Sequence, residues 1–521
     1  MSATGTQIIN GTEYVYEYLS VWNSKKKRSE QKRSYIGKNI DGKFIPNKKY
    51  DLQKEIERIK HAKPGPVPAV HCKRLFYGAT YLLDEIGRIT KVTEDLKSCF
   101  PDDFNKILSL AYFLLLEESR PAYRFRKWAA THVHHLKTDI SSQRISELFA
   151  GITEEQKMRF FRLQSKRRSE REYLAYDITS ISSYSQLLKQ VKYGHNKEHD
   201  NLAQINLALL YGESSRLPVY YRKLPGNISD VKTVENLFNA IDFLEMENLS
   251  FVMDRGFYSE NNINGFFRKH YKFIIGLRTS LKFVKDKLDE IRDGFATRNN
   301  YDSETQLYIM SFTQKWNYKE KNEIKGAKRI YVHYYYNEQH ATDDKKRLNK
   351  LLDVLEEELS SGNRKPEHER LYSKYYEENR GKFVPKQDAI VQAEKNCGFF
   401  VLMSNGIKDP VLALKTYRTK DVIEKAFGNL KERLNMRRMS VASEENMEGK
   451  LFVQFIALIY LSYIKKAMDD NNLFKDYTMQ EMLDELDIIE YFQEPGKRHH
   501  LGEITSRQKQ FYECMKVETP T

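Results

Sequence analysis

The sequence predicts an α/β protein built on a mixed sheet with helices on its faces and helical regions to either side. Two observations carry this reading. Three strand-like runs follow one another: "YLAYDITSIS" from Tyr173, "QINLALLYG" from Gln204 and "LPVYYRKLP" from Leu217. Helix and strand then alternate, as "DVKTVENLFNAIDFLEM", "LSFVMD", "SENNINGFFRKH" and "KFIIGLR". The first set has the β-branched and aromatic content of strands, and the second switches between the two periods.

The elements are read in chain order. Residues 1–62 contain "YVYEYLSVW", the basic run "SKKKRSEQKR" and "SYIGK", which predict two strands joined by a solvated, charged loop able to touch a DNA backbone. "KPGPVP" at 63–68 breaks helix and strand alike and marks a linker. Residues 69–170 turn helical. "FNKILSLAYFLLLEES" is one apolar helix, and "DISSQRISELFAGITEEQKMRFFRL" makes two, the second opened by a capping box of Thr153 and Gln156. That pair could be a DNA-binding helix-turn-helix or an ordinary helical hairpin. The mixed sheet begins at 171–282. Residues 283–395 change texture, with strands "TQLYIMSFT" and "KRIYVHYYYN" and a charged helix near 343–359. "CGFFVLMSN" returns to a strand within 396–470, followed by a helix over 418–434 and the apolar run Leu451–Ile464. Residues 471–521 read as helical.

At 521 residues the chain is long enough for several compact regions, and its 40% hydrophobic content supports real cores. Lys plus Arg is 86 against 72 Asp plus Glu, a net charge of +14, which favours a polyanionic partner. Cys72, Cys99, Cys397 and Cys514 form no CxxC pair, which fits a reducing compartment and excludes a zinc ribbon. No signal-peptide core is expected at the start, and the 14-residue run around Gln454 is too short for a membrane span. Histidines bunch in "THVHHLK" and "KRHHL" without a cysteine or acid at ligand spacing, so neither reads as a zinc site.

Two strands carry a lone acid in apolar company: Asp177 in the first strand of the sheet, and Asp254 at the end of the fourth. An Asp at a strand end can simply serve the turn that follows. It can also be a rigidly held oxygen ligand for a hard cation. Neighbouring strands lie roughly 5 Å apart, so two such acids could share metal ions, and two ions roughly 4 Å apart can drive phosphodiester chemistry. The third acid that such chemistry needs is offered by "YRTKDVIEKAFGNLKERL". Lys420, Glu424, Phe427 and Lys431 fall on one helix face there, beside an apolar stripe. On its own, Glu424 also reads as a surface residue with two charged neighbours.

Together these stretches resemble the DDE transposases of insertion-sequence family four. Tyr417, Lys420, Glu424 and Lys431 match the spacing of that group's Tyr-Arg-Glu-Lys (YREK) signature, with Lys420 where the signature has Arg. Lysine keeps the charge but loses the planar fork that grips phosphate. "YDITS" resembles the first-acid motif and "MDRGFYS" the second, and the resemblance runs over roughly residues 75–510. It implies a ribonuclease-H-like catalytic core, with Asp177, Asp254 and Glu424 as catalytic residues holding two Mg²⁺ (or Mn²⁺) ions. It implies contacts of Tyr417, Lys420 and Lys431 with transposon-end DNA, and a largely β insertion domain, here 283–395, between the second and third acids. It further implies cut-and-paste transposition by a homodimer acting on double-stranded DNA at terminal inverted repeats and at a target. No membrane partner is implied, and the setting would be a prokaryotic cytoplasm, with the nucleoid. Arg255 could meet a phosphate or form a structural salt bridge. Trp316 could hold a flipped base, as an insert aromatic does in related transposases, or pack in the ordinary way. A metal-dependent nuclease on the same fold, or an inactive transposase-derived DNA-binding protein, are the alternatives.

Overall fold

A computed structural model describes residues 3–521, apart from 24–27, 41, 61–71, 119, 137–139, 169–171, 186–187, 195–201, 247–248, 321–322, 380, 435, 437, 440, 442 and 495–497. The chain divides into two compact units. The smaller comprises residues 1–78 and 487–505, with residue 521. Its main sheet is antiparallel, in the order β1 (Ala3–Ile9), β2 (Thr12–Asn23), β3 (Arg28–Ile40), β4 (Lys43–Pro46). A helix, Lys48–Lys60, follows, with the Asn47 side chain accepting the Tyr50 N–H. Sequence reading expected two strands and a basic loop here. Instead the described part of the basic run, from Arg28, lies inside β3, where nearly every residue of the run is exposed and its charges stay solvated. The expected linker at 63–68 lies outside the described residues. A second sheet joins β5 (Lys73–Phe76) to Glu490–Gln493 and His500–Leu501. In it His499 and His500 stack on Tyr491 and Phe492.

The larger unit spans residues 79–486 and 506–520. Its sheet contains β6 (Tyr173–Ser183), β7 (Gln204–Gly212), β8 (Pro218–Pro225), β9 (Ser250–Met253), β10 (Lys272–Leu277), β11 (Tyr301–Asp302), β12 (Leu307–Glu320), β13 (Glu323–Tyr336) and, after a small hairpin of β14 (Tyr376–Asn379) and β15 (Lys382–Pro385), β16 (Phe399–Ser404). The spatial order is β11-β12-β13-β16-β10-β9-β6-β7-β8, with a short β17 (Arg438–Met439) beside β6. β6, β9 and β10 run parallel to one another, and the remaining pairs on this path are antiparallel. Every residue of β7 is buried, which explains why its sequence is a continuous apolar run instead of an alternation.

The stretch 283–395 departs from the expected separate β domain. Its long strands β12 and β13 extend the central sheet, because β13 pairs with β16 from Tyr331 to Tyr336. Its later part is helical, around a small cluster of Leu355, Leu359, Tyr372, Tyr375 and Tyr376. Sequence pattern marks a strand but not the strand it pairs with.

Helices cover the sheet. Phe161, on the Glu154–Arg168 helix, meets Tyr220, Tyr221, Phe452 and Phe455 edge-on. Thr153 and Gln156 form the expected reciprocal cap of that helix. The preceding helix, Ser142–Gly151, packs so closely on Glu444–Asp470 that a Cβ at Gly449 would lie 2.1 Å from the Phe149 carbonyl oxygen. Among the described residues the Glu444–Asp470 helix is long and apolar enough to cross a membrane, but 78% of its most apolar window is buried inside the protein, as in a core helix. His132, His134 and His135 belong to this packing: His132 stacks on Trp128, His134 bonds Ser109 and His135 pairs with Asp84.

Candidate active site

Strand β9 is apolar because it lies in the middle of the sheet, where Phe251, Val252 and Met253 are at most 1% exposed. Asp254 follows at once and opens a single 3₁₀ turn, its Oδ1 accepting the Arg255 N–H at 2.8 Å. So the residue does the work of an ordinary turn aspartate. It does more, however, since the same Oδ1 accepts the Tyr417 hydroxyl at 2.8 Å from 163 residues away. The parallel register pairs Tyr176 with Met253, which leaves Asp177 and Asp254 as the next positions on adjacent strands. Such positions lie roughly 5 Å apart and share a face of the sheet.

Lys420 and Glu424 were expected inside one helix over 418–434. The structure divides it into Pro410–Arg418 and Asp421–Glu432. The Thr419 hydroxyl bonds back to the Thr416 carbonyl at this break, a competition with the helical ladder that hydroxyl side chains favour. Lys420 sits at the joint, and its ammonium is 2.8 Å from Glu424 Oε1 and 3.9 Å from Asp254 Oδ2. The Asp177 carboxylate also acts on it. Asp254 and Glu424 therefore meet at one positive charge, with Asp177 at the neighbouring position on the adjacent strand.

The electrostatics follow. Burial alone would raise the Asp254 carboxyl, but Lys420, the Tyr417 hydroxyl and the Arg255 N–H outweigh it and hold it below the usual carboxylate range. Burial would lower the Lys420 ammonium, yet its bond to Glu424 and the charges of Asp254, Glu424 and Asp177 keep it above its ordinary value. Burial, then the Asp254 charge, pushes the Tyr417 hydroxyl far up, so it stays protonated and donates.

A cleft of about 450 Å³ opens beside Asp254, with Arg255, Gly276, Tyr417 and Arg418 among its walls. Gly276 escaped the sequence reading, although a glycine inside a strand often marks close approach. A Cβ there would lie 2.9 Å from the Tyr417 hydroxyl. Arg418 was likewise missed, since nothing in its spacing sets it apart. Arg255 is exposed on the turn, and Lys431 lies half-buried two turns beyond Glu424 on the same helix. Trp316 is not brought to this cleft. Its indole N–H donates to Asn264 Oδ1 at 2.9 Å, which ties β12 to the Glu260–Arg268 helix.

The donors suit a hard divalent cation in kind: carboxylates, with the Asp254 and Glu424 side chains 47% and 55% exposed. Among the described residues no three His, Cys, Asp or Glu side chains are gathered as tightly as a coordination sphere requires. The Lys420 ammonium stands between two of them.

Residues 168–460 match the transposase DDE domain family, a span that contains Asp177, Asp254, Tyr417, Lys420 and Glu424. No curated protein matches the chain. Among solved structures, a piggyBac transposase synaptic complex with hairpin DNA is similar at 8% identity, over 74% of this chain and 70% of that one, with a TM-score of 0.36. The domain match takes in more than half of the 521 residues, and on it the chain belongs to the DDE transposases.

Proposed function

We propose that the chain is a cut-and-paste transposase of insertion-sequence family four, with a ribonuclease-H-like core in which Asp177, Asp254 and Glu424 are the catalytic acids. The observation that carries this reading is the meeting of Asp254 and Glu424, distant in sequence, at the Lys420 ammonium, with Asp177 at the strand position beside Asp254. The order of β8, β7, β6, β9 and β10, with the first acid on β6 and the second at the end of β9, supports the core assignment.

Two divalent ions, Mg²⁺ or Mn²⁺, would supply Lewis acidity at the scissile phosphate when bound. The chain's own contribution is placement. Tyr417 and the Arg255 N–H fix one oxygen of Asp254 and leave the other facing Glu424 across Lys420. Lys431, Arg255 and the cationic surface would meet the DNA backbone, in keeping with the net charge of +14. Water, then the freed 3′-hydroxyl, would attack phosphorus at the element ends within a homodimer that pairs two ends, in a prokaryotic cytoplasm. The indole bond to Asn264 favours packing over base capture for Trp316.

The test starts from the DNA flanking the gene. Matching inverted repeats there provide the substrate, and the purified protein with Mg²⁺ should cut them and join the 3′ ends to a second duplex. Cutting without joining would identify a nuclease, and binding without cutting a catalytically silent relative.

A further inference from the structure

The geometry points to Lys420 as a resident counter-cation: its ammonium bridges Asp254 and Glu424 in the ion-free protein and is displaced when a divalent ion binds. This inference rests on the proposed metal role of Asp177, Asp254 and Glu424.

Carboxylates held near one another repel, and uncompensated Asp254 and Glu424 would spread apart or take up protons. Here one side chain prevents both. Lys420 Nζ is bonded to Glu424 and lies 3.9 Å from Asp254, and the charge of Asp177 reaches it as well. Its side chain is only 19% exposed, against 55% for Glu424 and 47% for Asp254. The lysine is thus set inside the acid cluster, and the acids open outward from it.

A compact ammonium suits this task better than a guanidinium would. It is a point charge on a flexible four-carbon stem, so it can leave by rotating its side chain and without moving backbone. The bond to Glu424 is an i,i+4 pair at the start of a helix, a class of contact that is weak and exchangeable. A divalent ion carries twice the charge and accepts several oxygens at once, so it can outcompete the ammonium for the same carboxylates. The cost of evicting Lys420 then lowers the apparent affinity for the ion, and removing the lysine should raise it.

The test uses the full-length protein without DNA and Mn²⁺ as the probe, followed by calorimetric titration and by the melting temperature with and without the ion. Lys420→Met should bind Mn²⁺ about tenfold more tightly than the native protein, the effect of one lost competitor of about 1.4 kcal/mol. Its ion-free form should also melt lower, and saturating Mn²⁺ should bring it back to the native melting temperature. Lys420→Arg, which keeps the charge, should stay within about threefold of native affinity. Lys420→Gln serves as a second removal should the methionine variant fold poorly. Unchanged or weaker Mn²⁺ binding in both removal variants overturns the inference. So does tighter binding without loss of ion-free stability, because a lysine that merely repels the ion would not hold the acids. Asp254→Asn and Glu424→Gln separate this from the parent reading: if neither weakens Mn²⁺ binding in either background, the acids are not the metal site at all.

Discussion

Two lysine–carboxylate clusters in the larger unit use the same chemistry to opposite ends. In one, Lys157 bonds Glu448 at 2.7 Å and Glu154 at 2.6 Å, and Lys223 bonds Glu448 at 3.0 Å and also Glu444. Both lysines are about 5% exposed or less. In the other, Lys420 faces Asp254 and Glu424, which are each about half open to water. The first cluster joins β8 to the helices Glu154–Arg168 and Glu444–Asp470, with its ammonium groups shut away from water. The second joins a strand end to a helix start, where its carboxylates are open to water. Burial, not residue type, sets the two networks apart.

The largest expected effect lies in the open cluster. Asp254→Asn keeps the shape and removes the charge, and it should lower end cleavage by at least about a thousandfold, several kcal/mol of barrier, with little loss of stability. A cleavage assay beside a denaturation curve checks both halves. The buried cluster should answer the other way. Glu448→Ala removes the carboxylate shared by two buried ammonium groups, leaving Lys157 with Glu154 and Lys223 with Glu444, and should cost about 2 kcal/mol of stability in denaturant unfolding, while the molecules that remain folded cleave normally. Severe loss of activity in folded Glu448→Ala would erase the contrast.

The buried cluster also has a pH signature. Burial raises the Glu448 carboxyl, but Lys157 and Lys223 outweigh it and hold it below its ordinary value. A depressed folded pKa gives stability that is present above the unfolded value and lost as pH falls through the folded one. The native protein should therefore lose stability below about pH 4.5, and Glu448→Gln should flatten that limb, as read from unfolding at successive pH values.

Gly276→Ala is a finer probe of the open cluster. The new Cβ would crowd the Tyr417 hydroxyl at 2.9 Å and the Arg255 amide at 3.1 Å, so Tyr417 should release Asp254. Cleavage should fall about tenfold, near 1.4 kcal/mol, with the melting temperature almost unchanged. The smallest effect belongs to Trp316→Phe. It leaves the Asn264 amide oxygen, on a residue 9% exposed, without the indole donor and should cost about 1 kcal/mol with cleavage within about threefold of native. A large loss of activity instead would return Trp316 to a role at the DNA.

The three acids were legible because each breaks a local rule. Asp177 interrupts an apolar strand, Asp254 ends one, and Glu424 stands beside an apolar helical stripe at a spacing matched to Tyr417 and Lys431. Their signal is a mismatch with neighbours, which sequence displays directly. Gly276 and Arg418 gave no such mismatch, and their position depends on a contact across the fold. Trp316 illustrates the reverse: a conspicuous residue in a basic, aromatic stretch whose indole is spent on Asn264.

By itself the amino-acid sequence determined the elements and their order. From Tyr173 to Leu277 the strands and helices fall where period and turn residues place them, because those signals act over a few neighbouring residues. Only the tertiary structure decided that β12 and β13 extend the central sheet, that Tyr417 reaches Asp254, and that Lys420 lies among the acids. Strand pairing and side-chain convergence are long-range choices, selected by the whole packing of the chain, and no local pattern encodes which partner will be met.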